Sequence, residues 1–229
     1  MKSHSSRSTG QGFTLLELLV TVAIVSILIT MLVPGIAGLR ERALSSQCIG
    51  NLRQVGAGAM LSASENDGKW LFFDRDQGWA MWDKLLLDQG YLSSSKVTYC
   101  PAWKPKTYKT WRTYGVTWLG LANKPDDDGV IIANSDGNGR VTGEINFMAI
   151  SKPSSFLLMA DSYTTRASYD KSQYAIVQGG GWSDEIHLRH AARANILFGD
   201  GHVSALAGTD LPEIGWEVAF DRDGKLINF

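Results

Sequence analysis

The chain has 229 residues, a formal net charge of −1 and 44% hydrophobic residues. This length accommodates one globular domain of roughly 160 to 170 residues together with a long helix. The near-neutral charge and the lack of a basic stripe argue against a nucleic-acid partner.

The N-terminal region contains an apolar run that is long enough to cross a membrane. Residues 13–33 include no Gly or Pro and one charged residue, Glu17, and a spanning helix needs about 20 mostly apolar residues. We therefore predict a polar leader over residues 1–12 and a transmembrane helix over residues 13–39. A carboxylate at the bilayer centre costs roughly 2.5–3.5 kcal/mol, so Glu17 favours a partner; near the headgroups it would need none.

Beyond Pro34 the sequence becomes amphipathic without a strong helix breaker. Apolar residues recur at three- and four-residue steps, at Leu44, Cys48, Leu52, Val55 and Ala59. This spacing predicts that the helix continues over residues 40–64 and lays an apolar face on a globular domain. Turn-forming residues at 65–68 end the helix.

Residues 65–229 are predicted to form a β-rich globular domain. Alternating and β-branched segments predict strands over residues 130–133, 141–150, 155–160, 174–178, 195–198, 202–205, 216–220 and 225–229. Gly199-Asp200-Gly201 is expected to form a tight hairpin turn, and residues 221–224 a second one. The predicted fold class is α+β, with a long N-terminal α-helix packed on an antiparallel β-sheet domain.

A short helix is predicted just after the long one, ending near Gly90. Trp79, Trp82, Leu85 and Leu86 have helical spacing. Beside leucines at this spacing, the two indoles are expected to belong to the core.

The leader and the two cysteines bear on the cellular compartment. Lys2 and Arg7 precede the span, which favours a cytoplasmic leader, although Arg40 and Arg42 beyond the span weaken this rule. An exported domain allows a disulfide. The sequence leaves open whether Cys48 and Cys100 form one or remain separate buried thiols, since their Cα atoms must approach within about 7 Å.

The segment from Gly12 to Val20, Gly-Phe-Thr-Leu-Leu-Glu-Leu-Leu-Val, resembles the type III signal of type IV pilins and type II secretion pseudopilins. The resemblance implies cleavage after Gly12 by a prepilin peptidase and methylation of the new Phe13 amine. Glu17 would be the fifth mature residue, which in that family neutralises the Phe amine of a neighbouring subunit. Pro34 falls where many members carry a helix-bending proline.

This resemblance implies a pilin-like fold, a single-pass inner-membrane location and a periplasmic C-terminal domain. The expected partners are the prepilin peptidase and other pilin or pseudopilin subunits in a homo- or hetero-filament. The competing interpretation is an ordinary secretory signal. Cleavage near residues 36–38 would then release a soluble product beginning near Leu39.

A second motif lies near the C-terminus. His190, nine intervening residues and Asp200-Gly201 resemble the H-x9-DG element of a large group of pseudopilin-like proteins. Segments 48–56, 100–101 and 157–162 also look like landmarks of that group. We expect His190 to hydrogen-bond to Asp200 and fix the hairpin end. The alternative is a zinc site that combines His187, His190 and His202 with Asp200 or Asp161, although this spacing falls short of established zinc motifs.

No cofactor is expected, although calcium binding is left open. Major pseudopilins bind calcium in a C-terminal loop, and acidic clusters occur at residues 126–128 and at Asp221 and Asp223. Neither has the 12-residue loop of an EF-hand, so solvated turns are the preferred interpretation.

The function expected from the resemblance is a structural subunit. The sequence contains no Gly-x-Ser-x-Gly elbow, phosphate loop or nucleotide fingerprint, so an enzyme is not expected. Asp161 and Asp200 could pair as catalytic carboxylates, but nothing fixes their separation. The alternative function is a membrane-tethered surface adhesin or polysaccharide-binding module that uses aromatic loops containing Trp111 and Trp118.

Overall fold

The structure is a computed structural model that describes residues 13–103, 108–118, 129–135, 141–169, 172–178 and 183–229, apart from the side chains of residues 31–37. The chain divides into two compact units, Met1–Arg40 and Glu41–Phe229. The leader lies outside the described residues, and so do residues 126–128 of the first acidic cluster.

Helix α1 spans Leu15–Ser64, which confirms the predicted long helix, and Pro34 lies within it. In the first unit, its large apolar side chains are exposed on all sides: Leu15, Leu16, Leu18, Leu19, Val20, Val22, Ile24, Val25, Ile27, Leu28 and Ile29. Over the residues that the structure describes, no helix combines the length and the apolar character that crossing a membrane requires.

In the second unit, α1 presents a single buried stripe. Cys48, Leu52, Val55 and Ala59 are fully buried in the main core cluster, whereas Arg53, Gln54 and Ala57 are exposed. The predicted amphipathic face is therefore confirmed, and its spacing follows the 3.6-residue period of the helix.

The described part of the second unit also contains helix α2 (Trp82–Asp88) and short strands. The strands are β1 (Lys69–Asp74), β2 (Ala80–Met81), β3 (Gly115–Thr117), β4 (Ile131–Ser135), β5 (Val141–Asn146), β6 (Leu157–Ala160), β7 (Ser162–Thr164), β8 (Ile176–Val177), β9 (Asp184–Ile186), β10 (Arg193–Phe198), β11 (Val203–Ala207), β12 (Val218–Phe220) and β13 (Leu226–Asn228).

The strands form two larger sheets and two pairs. One sheet has the order β2-β1-β5-β4 and the other the order β11-β10-β6-β3-β8, while β12 pairs with β13 and β7 with β9. The pairings are antiparallel except for β3 with β8, which is parallel. The α+β class with a mainly antiparallel sheet domain is thus confirmed.

Strand β10 is buried on both faces and joins two cores. Leu197 belongs to the cluster that includes the buried stripe of α1, whereas Ala194, Ile196 and Phe198 belong to a second cluster with Leu211, Trp216 and Ala219. Successive side chains of a strand point to opposite faces, so β10 lies at the centre of the domain.

Both hairpins predicted near the C-terminus are present. Strand β10 pairs with β11 and β12 with β13, and Gly201 has the positive φ of +88° that the tight turn requires. Strand β4 also pairs with β5, although the connecting residues 136–140 lie outside the described part of the chain.

The prediction that Trp79 belongs to the core is wrong. Its side chain is 52% exposed and its φ is +60°, whereas Trp82 is fully buried and begins α2. Trp79 lies in the turn between β1 and β2, and its ring contacts Phe73 and the guanidinium of Arg75. The helical spacing predicts Trp79 on the helix because the apolar pattern extends about one turn before the first residue of α2.

A glycine in α1 allows the helix to approach β10 closely. A Cβ at Gly56 would lie 2.8 Å from Cδ1 of Leu197, a fully buried side chain. A Cβ at Gly50, in the same helix, would meet nothing within 4 Å. Alanine at position 50 therefore changes the helix propensity alone, whereas alanine at position 56 changes both the helix propensity and the packing.

We predict opposite effects of alanine at these two positions. Gly50→Ala should raise the free energy of unfolding by about 0.8–1 kcal/mol through helix propensity. Gly56→Ala gains the same helix propensity, but the added methyl group overpacks against Leu197 at a cost of about 1–3 kcal/mol. Its free energy of unfolding should therefore be lower than that of Gly50→Ala. Thermal unfolding of the full chain, followed by near-ultraviolet circular dichroism, checks this. Equal stabilisation by both substitutions would contradict the close approach.

Candidate functional site

The start of α1 is closed by a reciprocal pair of hydrogen bonds. The backbone N–H and the hydroxyl of Thr14 donate to Oε2 of Glu17 at 2.9 and 2.8 Å, and the N–H of Glu17 donates to Oγ1 of Thr14 at 3.3 Å. This is a capping box, in which the side chains of the N-cap residue Thr14 and of the third helical residue Glu17 each accept the backbone N–H of the other. Glu17 therefore has a role within its own chain that the sequence analysis did not anticipate.

The other residues of the predicted processing and assembly site are only partly described. Phe13 is 77% exposed. Gly12 and the side chain of Pro34 lie outside the described residues. Cleavage after Gly12 and pairing of Glu17 with a neighbouring amine stay predictions.

A cluster of four buried side chains forms a second site in the globular unit. We call Cys48, Cys100, Asp161 and His190 the buried cluster. Cys48 lies in α1, Cys100 directly before a 3-10 turn, Asp161 between β6 and β7, and His190 just before β10. The first three are fully buried and His190 is 4% exposed, so four segments that are distant in sequence meet away from solvent.

The atoms of the buried cluster lie close together. Sγ of Cys48 is 3.3 Å from Oδ1 of Asp161, and Sγ of Cys100 is 3.2 Å from Nε2 of His190. Nε2 of His190 is 3.5 Å from Oδ2 of Asp161. One ligand atom from each of the four residues lies within 4.8 Å of the other three. Both cysteines are free thiols and neighbours, which the sequence left open.

Surrounding groups hold the members of the buried cluster in place. Gln173 accepts a hydrogen bond from the N–H of Cys100 at 2.9 Å and donates to its carbonyl at 3.1 Å. The hydroxyl of Tyr114 donates to Sγ of Cys48 at 3.2 Å. These contacts fix both sulfur-bearing residues.

The carboxylate of Asp161 is also held from outside the cluster. The backbone N–H of Asn195 donates to its Oδ2 at 2.9 Å, and Nε of the buried Arg189 lies 3.8 Å from its Oδ1. Because Arg189 is only 3% exposed, a positive charge is buried beside the cluster. Nδ1 of His190 has no hydrogen-bond partner among the described residues, so the contacts at Nε2 orient its ring.

The environment shifts the pKa values of three cluster members. Burial raises the pKa of the Cys48 thiol well above its ordinary value. Burial also opposes ionisation of Cys100, but hydrogen bonds from Cys48 and His190 outweigh it and lower the pKa to about 7. Burial likewise lowers the pKa of His190, yet the contact with Cys100 and the charge of Asp161 raise it overall. Cys100 is therefore the more acidic thiol.

The expected hydrogen bond between His190 and Asp200 is wrong. Asp200 is exposed in the β10–β11 turn, where its Oδ1 accepts from the N–H of His202 at 3.1 Å and lies 2.6 Å from Nδ1 of the His202 ring. His190 precedes the first residue of the six-residue strand β10, whereas Asp200 follows its last residue. At 3.3 Å per residue, the strand separates them by roughly 20 Å. The two ends of the H-x9-DG element thus have separate roles.

The zinc site considered from the sequence is also wrong, because most of its residues do not come together. His187 is buried against the rings of Trp103 and Tyr163, at centroid distances of 4.9 Å, and burial lowers its pKa to about 2. His202 lies at the exposed turn with Asp200. His190 and Asp161 do come together, but with two cysteines, and Asp161 and Asp200 are not a pair.

The remaining predicted sites are turns or packed rings. Oδ1 of Asp221 accepts the N–H groups of Asp223 and Lys225, both at 2.9 Å, as in a solvated turn. Trp111 and Trp118 are half-buried and pack against the main core cluster. Trp118 makes edge contacts with Phe72 and Phe73 at 5.3 and 5.4 Å.

Comparison with known proteins bears on the N-terminal segment. Residues 7–33 match the model of the prokaryotic N-terminal methylation motif. The match supports the type IV pilin-like or pseudopilin class, with processing by a prepilin peptidase and assembly with other pilin subunits. No curated protein matches the chain. No solved structure matches it either.

A strained turn positions His190. The N–H of His190 donates to the carbonyl of Arg193 and the reverse bond is also present, both at 3.0 Å. The two residues between them, Ala191 and Ala192, have φ values of +50° and +60°. This left-handed conformation costs an L-residue about 1–2 kcal/mol each, and in hairpin turns it favours Asn and Gly.

We predict that glycine relieves this strain. Ala192→Gly should raise the free energy of unfolding by about 1 kcal/mol, since glycine adopts a positive φ without steric cost. The matched control is Ala57→Gly at an exposed position of α1, which should lower it by about 0.8–1 kcal/mol. Thermal unfolding of the full chain measures both. A loss of stability with Ala192→Gly similar to that of the control would contradict the strained turn.

Proposed function

We propose that the chain is a pseudopilin-like structural subunit of a type II secretion or type IV pilus-like filament. The observation that carries the proposal is the match of residues 7–33 to the N-terminal methylation motif. This segment contains Gly12, Phe13 and Glu17, the residues that processing and assembly would use. In this proposal, a prepilin peptidase cleaves after Gly12 and the Phe13 amine is methylated.

The exposed apolar surface in the first unit supports the proposal. Large side chains such as Leu15, Leu16 and Leu19 are 65–85% exposed, and a helix that is apolar all round requires a nonaqueous environment or a protein partner. The proposed environment is the inner membrane before assembly and the equivalent helices of neighbouring subunits after it. The globular unit, residues 41–229, would then lie in the periplasm.

Glu17 is proposed to act twice. Within its own chain it caps α1 through Thr14. Between chains, its carboxylate would pair with the Phe13 amine of a neighbour and set the register of the subunits. In a low-dielectric environment, an unpaired charge costs several kcal/mol, so this pairing would favour assembly over isolated subunits. The cap keeps the carboxylate at the helix end, where such an amine could reach it.

Substitutions at Glu17 and Thr14 distinguish the charge from the cap. Gln also satisfies a capping box, so Glu17→Gln removes the charge while retaining the cap, and Glu17→Ala removes both. We predict that both variants insert into the membrane normally but reduce filament recovery at least about tenfold, the effect of roughly 1.4 kcal/mol per contact. Immunoblots of sheared filaments and of membranes measure the two pools.

Thr14→Val is the matched control for this experiment. It removes the hydroxyl of the cap but leaves the carboxylate of Glu17 in place, and we expect it to assemble close to the wild-type level. Assembly of Glu17→Gln at the wild-type level, with Thr14→Val impaired, would show that the cap alone matters and would contradict the proposed pairing.

A further inference from the structure

We propose that the buried cluster of Cys48, Cys100, Asp161 and His190 is a structural zinc site. This ligand set differs from the zinc alternative considered from the sequence, because two cysteines replace His187 and His202. The inference is independent of the filament role. Thiolate, imidazole and carboxylate groups are the ligands that proteins use for Zn²⁺, and structural sites take four of them in a tetrahedron. The cluster supplies four such groups.

The spacing of the cluster fits a tetrahedral ion. Zinc bonds of about 2.3 Å to sulfur and 2.0–2.2 Å to nitrogen or oxygen place neighbouring ligand atoms about 3.4–3.8 Å apart. The three contacts described above, at 3.3, 3.2 and 3.5 Å, lie within a few tenths of an ångström of these values. Small side-chain adjustments would therefore admit the ion.

The charges around the cluster also fit a dication. Two thiolates and one carboxylate on Zn²⁺ leave one negative charge, and the buried guanidinium of Arg189 lies 3.8 Å from Asp161 to balance it. Buried charges are tolerated when they are paired or coordinate a metal.

Outer contacts hold two of the four proposed ligands, Asp161 and Cys100. The N–H of Asn195 donates to the Asp161 carboxylate, and Gln173 holds the backbone of Cys100 on both sides. Such partners orient the ligands of a metal site. The strained turn after His190 constrains the backbone of the histidine, and its Nδ1 has no partner among the described residues.

The burial of the cluster makes the site structural rather than catalytic. A catalytic zinc keeps an open position for water or substrate, whereas the four ligands here are at most 4% exposed. The ion would tie α1 to three other segments of the globular unit. The histidine of the H-x9-DG element would thus be a metal ligand, while Asp200 and Gly201 form a separate turn.

Metal analysis of the full chain tests this proposal. We expect stoichiometric zinc in the chain purified without added metal or chelator. After reduction and metal removal, Co²⁺ should restore binding with a thiolate-to-cobalt charge-transfer absorption. Removal of zinc should lower the thermal unfolding midpoint. Competition with a chromophoric chelator measures the affinity.

Variants assign the ligands. Cys48→Ser, Cys100→Ser and His190→Gln should each weaken zinc binding by more than about 100-fold, beyond the effect of losing an outer contact. His202→Ala and Asp200→Asn, which change an exposed histidine and aspartate outside the cluster, are the matched controls and should leave binding unchanged. If a ligand variant does not fold, mercurial titration of the wild-type chain should release zinc in step with two thiols.

Two results would overturn the proposal. One is a Cys48–Cys100 disulfide in the chain as isolated, detected by mass spectrometry of the unreduced protein. The other is a folded, reduced chain with two free thiols that takes up neither Zn²⁺ nor Co²⁺ with the charge-transfer absorption.

Discussion

The packing of α1 imposes the main constraint on this protein, because the helix has two different surfaces along its length. In the globular unit, one stripe that includes Leu52 and Val55 is buried and the opposite face is polar. In the first unit, large apolar side chains are exposed all round the helix. Each such side chain removed from water contributes roughly 1.5–3 kcal/mol. This surface and the methylation motif support the proposed membrane and filament environments.

Within the globular unit, the docking of α1 on β10 organises the domain. Gly56 permits the close approach to Leu197, and Cys48, on the same face of the helix, reaches Asp161 and the other members of the buried cluster. The other face of β10 packs on the second core. Helix, sheet and cluster therefore meet around one strand, and the turn at Ala191 and Ala192 fixes the start of that strand.

The elements with strong local signals were predictable from the sequence. The 3.6-residue spacing of apolar residues gave α1, and glycine-containing turns gave the two C-terminal hairpins. Short strands such as β2, β7 and β9 were missed, since two or three residues carry too little pattern. Trp79 was misplaced because spacing cannot reveal where a helix begins.

The buried cluster was not predictable because its contacts are long-range. Cys48 and Asp161 are 113 positions apart, and Cys100 and His190 are 90 apart. Both cysteines and the segment containing Asp161 were recognised as landmarks, but no spacing rule joins them. The predicted hydrogen bond between His190 and Asp200 was wrong for the opposite reason. The two residues are close in sequence, but the extended strand β10 separates them in space. The cap formed by Thr14 and Glu17 has the Thr-x-x-Glu signature and could have been recognised.

The central claim is that the apolar helix begins, after processing, with an amine close to Glu17. Mass spectrometry of the N-terminal peptide from the chain isolated from its native membrane tests this most directly. The account predicts a peptide that starts at Phe13 and carries an N-methyl group. A chain that retains Met1, or one that begins near Leu39, would contradict it.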